Sequence, residues 1–182
     1  MFKKINMSIK GWIFAVVIFL LAVYFGFINF HYAGIKMIEI NFLFTDFAIY
    51  FKELVMAIFF LVIYLLFSMI PSKKFMMIPN LFLLMSAGQS LVQFYYTLPR
   101  LNILGSIAEF IITLSILGMA YSFSSISFDV MDNLNENSGG TFLGKWTSQV
   151  NSSLMKHWQM PLISIIIYVI FVSITVVTGV IK

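Results

Sequence analysis

The chain has no cysteine and few charges. Without thiols there is no disulfide, no thiolate metal site and no cysteine nucleophile. Charged residues make up only 10% of the 182, whereas a soluble domain carries about a quarter. Apolar residues reach 61%. A chain this short cannot cover so large an apolar fraction with its own polar surface, so lipid has to cover it. Lys3-Lys4 and Lys73-Lys74 are the longest basic runs, and the formal charge is +4. Basic residues placed so sparsely read as membrane orientation signals, not as a nucleic-acid footprint. The Phe, Ile, Lys and Asn bias matches an AT-rich, low-GC bacterial genome, so a bacterial cytoplasmic membrane is the expected location.

Catalytic signatures are missing as well. There is no H-E-x-x-H, no G-x-S-x-G and no glycine-rich phosphate loop. The two histidines, His31 and His157, fall on opposite sides of the membrane in the topology below, so they cannot bracket a haem or share a zinc ion. No cofactor, metal or catalytic residue is expected. Asp129, Asp132 and Glu136 have a spacing that would suit a metal-dependent enzyme acting on lipid head groups. The glycine and arginine that accompany such motifs are absent nearby, and a solvated loop is the expectation.

A bilayer core about 30 Å thick needs about 20 mostly apolar residues per helix. Charge-free or nearly charge-free stretches then predict an all-α, polytopic helix bundle of about five transmembrane helices, at 11–33, 47–71, 75–97, 101–126 and 161–181. The whole chain, 1–182, reads as one integral membrane domain. With the N-terminus inside, seven basic residues (Lys3, Lys4, Lys10, Lys73, Lys74, Lys145, Lys156) face the cytoplasm and four (Lys36, Lys52, Arg100, Lys182) face out. That bias predicts N-in, C-out.

Two connections carry patterns. Ile38, Ile40, Phe42 and Phe44 alternate with polar residues, which predicts an extended segment over the outer end of the bundle or a plain interfacial loop. The cytoplasmic connection 129–159 opens with DVMDNLNENSGG, a flexible-loop composition. From Thr141, a capping residue, Phe142, Trp146, Val150, Leu154 and Trp158 recur every four residues. That spacing predicts an amphipathic helix over 141–158, lying in the cytoplasmic interface or docking a partner.

Polar groups within the spans are the candidate site. On the third span Ser86, Gln89, Gln93 and Tyr96 share one helical face, and on the fourth so do Asn102, Ser106, Glu109 and Thr113. The turn at 97–100 makes these helices antiparallel, with Gln89 and Glu109 at similar depth, roughly 12–15 Å below it. Facing amides and acid, with Lys52 or Arg100 neutralising Glu109, would form an outward pocket for a small solute, cation or proton. Alternatively, the same groups are hydrogen-bonded glue between helices. The candidate ligand set is therefore Glu109, Gln89, Gln93, Arg100, Tyr96 and Lys52. The function expected is that of a non-enzymatic multi-pass protein: an assembly, immunity or regulatory subunit touching the bilayer and a protein partner or a second copy. A small-solute transporter or substrate-binding subunit is the alternative.

Overall fold

The computed structural model describes residues 9–42, 47–70, 72–98, 103–136 and 141–181. Six helices form the body: α1 (Ile9–Tyr32), α2 (Phe47–Phe67), α3 (Met77–Thr97), α4 (Ile103–Glu136), α5 (Phe142–His157) and α6 (Gln159–Ile174). A 3-10 turn, Lys73–Met76, leads into α3, and two short strands, β1 (Met37–Phe42) and β2 (Thr175–Ile181), complete the chain. The first four helices, α3 counted with its leading turn, are each long and apolar enough to cross a membrane. The α5–α6 pair passes the same test only when taken together, and it is bent by 71°. The chain is thus a helical bundle with four or five candidate spans, as an integral membrane protein requires.

α4 is the axis of the bundle. α3 and α6 pack along it, α1 rests on α3, and α2 lies against α6 and α4. With 34 residues it is the longest helix described. At a rise of about 1.5 Å per residue it is roughly 50 Å long, well beyond a hydrocarbon core of about 30 Å. The excess lies at the end carrying the first turn of α1, here termed the basal end. Residues 129–136, expected as a flexible loop, are helical. Val130 and Met131 are buried in this extension. Asp132 pairs with Lys73 at 2.7 Å, and Asp129 accepts a 2.8 Å hydrogen bond from Ser153 and lies 3.5 Å from Lys156. Tertiary contacts thus override the loop-like composition.

α5 begins where expected: Thr141 Oγ1 accepts the Gly144 N–H at its N-terminus. The helix packs on the basal part of α4 with Ser153 buried, Trp146, Val150 and Leu154 half-buried, and Trp158 exposed. Trp146 Nε1 donates to Ser68 Oγ at the end of α2, 3.0 Å away. Part of the four-residue stripe therefore holds α5 to its own bundle.

At the opposite end, β1 and β2 pair antiparallel, from Met37 with Ile181 to Phe42 with Thr175, with a register shift between Glu39 and Ile40. Ile38 and Ile40 are buried, and β1 packs against α3 and α4, as the alternation predicts for these two residues, whereas Phe42, expected on the same face, is exposed and Phe44 lies outside the described residues. The span expected over 161–181 is corrected here, because α6 stops at Ile174 and Thr175 turns extended. Residues 174–181, ITVVTGVI, are mostly β-branched, which favours a strand once a partner is present. Open sheet edges do not occur inside the hydrocarbon region, because water must satisfy their free backbone groups. The end of the bundle that carries the sheet is here termed the sheet end.

Candidate functional site: the polar faces of α3 and α4

The α4 stripe faces α3, as its spacing predicts. Ser106, Glu109 and Thr113 are all buried, Glu109 with 5% exposure. Three polar rungs join the two helices. Nearest the sheet end, the Thr97 and Ser106 hydroxyls meet at 2.9 Å. In the middle, Ser90 Oγ donates to Glu109 Oε2 at 2.9 Å and approaches the Glu109 backbone carbonyl at 3.1 Å. Thr113 Oγ1 donates to that same carbonyl from within α4. Toward the base, Asn80 Nδ2 donates to Ser124 Oγ at 2.9 Å and to the Met76 carbonyl, while Tyr64 Oη donates to Asn80 Oδ1 at 2.7 Å.

At two of the three rungs the α3 side differs from the expected one by one residue, and the third, at Asn80, was not expected. Ser90 stands where Gln89 was expected, and Thr97 where Tyr96 was. One residue is about 100° of helix rotation at about 3.6 residues per turn. The correction has a steric cause. In membranes, helix interfaces favour small residues that let backbones approach. Ala87, Ser90 and Thr97 are buried, and with Glu109 already filling the seam from α4 a glutamine at position 90 would hold α3 and α4 apart. Polarity alone points to the glutamines, and size decides against them. The missed signal was the run of small residues on α3 beside those of α4.

The remaining candidate residues are dispersed. Gln89 is exposed and Gln93 half-buried, and neither side chain makes a hydrogen bond among the described residues. Tyr96 packs on α1, its ring 4.8 Å from that of Phe30 and 6.0 Å from that of Phe27. Lys52 is 74% exposed and lies 4.0 Å from Glu53, whose carboxylate accepts from Tyr168 Oη. Arg100, Asn102 and Asp46 lie outside the described residues.

Glu109 lines neither of two cavities. One, of about 350 Å³, is walled by Phe94, Leu98, Ile103, Ser106, Ile107 and Phe110. The other, of about 470 Å³, lies at the basal end between α1, α3 and α4. Among the described residues, no three His, Cys, Asp or Glu side chains converge as metal ligands. The Asp129 and Asp132 carboxylates are engaged by Ser153, Lys156 and Lys73. Chemically, the α3–α4 interface is a hydrogen-bonded seam. No protein family, curated protein or solved structure compared with the chain matches it.

Proposed function

We propose that this chain is a non-catalytic subunit of a membrane assembly that binds another transmembrane helix through the outward face of α3. One observation carries the reading: Gln89 is exposed and without a hydrogen bond among the described residues at the middle of a candidate span. Gln89 lies about 18 Å from the start of α3 and about 12 Å from its end, at about 1.5 Å per residue. Water is absent at that depth, and an unsatisfied polar group there costs several kcal/mol. Ser86 on the same face turns back to the Phe82 carbonyl, 3.0 Å away, and so satisfies itself. The amides of Gln89 and Gln93, one helical turn apart, have four N–H donors and two carbonyl acceptors to offer a neighbouring helix. The lysine distribution supports an orientation with the basal end in the cytoplasm, and composition supports a bacterial cytoplasmic membrane.

The transporter alternative needs a polar cavity at Glu109. The geometry gives it little support, since the acid is buried against Ser90 and borders neither cavity described.

The test is purification of the full chain from native membranes in mild detergent. A stoichiometric companion, or a second copy, is expected to co-purify, and Gln89→Leu with Gln93→Leu is expected to release it while the chain stays folded. A monodisperse single chain, or a companion retained by the double variant, would overturn the reading.

A further inference from the structure

The basal crevice has a shape and a charge distribution that fit one class of molecule. α1 and α3 are in closest contact toward the sheet end, at two small-residue positions: a Cβ on Gly88 would sit 2.6 Å from Ala22 Cβ, and one on Gly26 would sit 2.9 Å from Val92 Cγ2. Below that crossing α1 stands away from its neighbours and leaves the cavity of about 470 Å³, within the range of about 300–1,000 Å³ usual for ligand pockets. Its walls are mainly apolar, with Trp12, Phe14 and Ala15 on α1 facing Leu84 on α3 and Leu117 and Phe128 on α4. Of the polar wall groups Asn80, Tyr121 and Ser124, the first and last are already paired with each other.

The mouth is basic. Lys73 and Lys74 line it, and Lys10 immediately precedes the crevice residue Gly11. Lys73 is committed to Asp132, whereas Lys74 is exposed and has no ion-pair partner among the described residues. From Lys74 to Leu84 the crevice runs along α3 for about 15 Å at about 1.5 Å per residue. That is half of a hydrocarbon core of about 30 Å, the depth of a single leaflet.

We propose that the crevice is a binding site for one anionic phospholipid of the leaflet at the basal end, with an acyl chain between α1 and the α3–α4 pair and its phosphate at Lys74. A free anion would have no use for the apolar walls, and a zwitterionic lipid, whose own ammonium offsets its phosphate, would leave the charge of Lys74 uncompensated. Trp12, beside the mouth, suits the headgroup boundary where aromatic rings gather. This site is separate from the α3 face assigned to a partner helix, and either assignment can fail without the other.

Trp12 also supplies the probe. In a Trp146→Phe, Trp158→Phe chain it is the only tryptophan, and bromine-labelled acyl chains quench it on contact. The full chain is placed in phosphatidylcholine nanodiscs containing increasing fractions of brominated phosphatidylglycerol or of brominated phosphatidylcholine. Half-maximal quenching is expected at about fivefold lower mole fraction for the anionic lipid, the effect of one lysine near a membrane surface. Lys74→Gln, which removes an exposed charge without disturbing the Lys73–Asp132 pair, is expected to abolish that preference. Ala15→Phe, which fills the crevice from α1, is expected to abolish it as well. Equal quenching by the two lipids in the parent chain would overturn the proposal, as would a preference that survives either variant.

Discussion

The two ends of the α1–α3–α4 layer use the same helices and reach opposite results. Toward the sheet end, Ala22, Gly26, Gly88 and Ser90 let the backbones approach, and hydroxyl and carboxyl groups pair across the seam. Toward the base, Trp12, Phe14, Tyr121 and Phe128 occupy the corresponding places, and α1 stands off to leave a crevice. Lipid tails are as apolar as leucine, so no hydrophobic force pulls helices together within a bilayer. Close approach therefore depends on small side chains and on polar pairs. The ends differ in packing: the sheet end closes at the Gly88–Ala22 and Gly26–Val92 crossings, whereas the base stays open although Gly11, Ala15 and Ala120 line it beside the large rings.

Breaking the closed end should have the largest effect. A methyl group at Gly88 would meet Ala22 Cβ and also the Val23 backbone nitrogen at 3.1 Å, which no side-chain rotation relieves. Gly88→Ala is expected to cost about 1–3 kcal/mol, the usual range for overpacking, and to extend the basal crevice toward the sheet end. Thermal unfolding of the purified chain in detergent measures the cost. An unchanged melting temperature would mean that α1 does not seat on α3 at this point.

A smaller effect is expected at the middle rung. Ser90→Ala removes the hydroxyl that holds Glu109 and is expected to cost about 0.6 kcal/mol, the mean for side-chain hydrogen bonds within membranes. Glu109→Gln keeps an acceptor for Ser90 and is expected to change stability less than Ser90→Ala. If instead Glu109→Gln abolished a transport activity and left stability unaltered, the seam would be a functional site and not glue.

Much of this arrangement was legible in the residues. The α4 stripe of Ser106, Glu109 and Thr113 faces inward as its spacing demands, Thr141 caps α5, and the alternation of Ile38 and Ile40 marks a strand. Three features were not legible, each because something distant in sequence decides it. The rotation of α3 depends on which residues are small enough to meet α4, so Ser90 and Thr97 displaced the more polar Gln89 and Tyr96. Residues 175–181 read as the end of a transmembrane helix until β1, from the far end of the chain, supplies a partner strand. The polar stretch from Asp129 to Glu136 stays helical because Lys73, Ser153 and Lys156 reach it from elsewhere. Of the candidate ligand set, Glu109 is buried in the seam, Lys52 and Gln89 point outward, and Tyr96 is absorbed by α1.

Both the seam and the partner face depend on which side of α3 looks out of the bundle, and a chain without native cysteine allows that to be measured directly. Nitroxide labels are attached to single cysteines introduced as Gln89→Cys and Ser90→Cys, and each purified chain is reconstituted at high dilution in phosphatidylcholine vesicles. Collision rates with dissolved oxygen then report lipid exposure at each position. The label at position 89 should collide freely and the label at position 90 should be shielded by α4. A shielded label at 89 beside an accessible one at 90 would contradict this arrangement, because the amides would then face Glu109 and the seam would open outward.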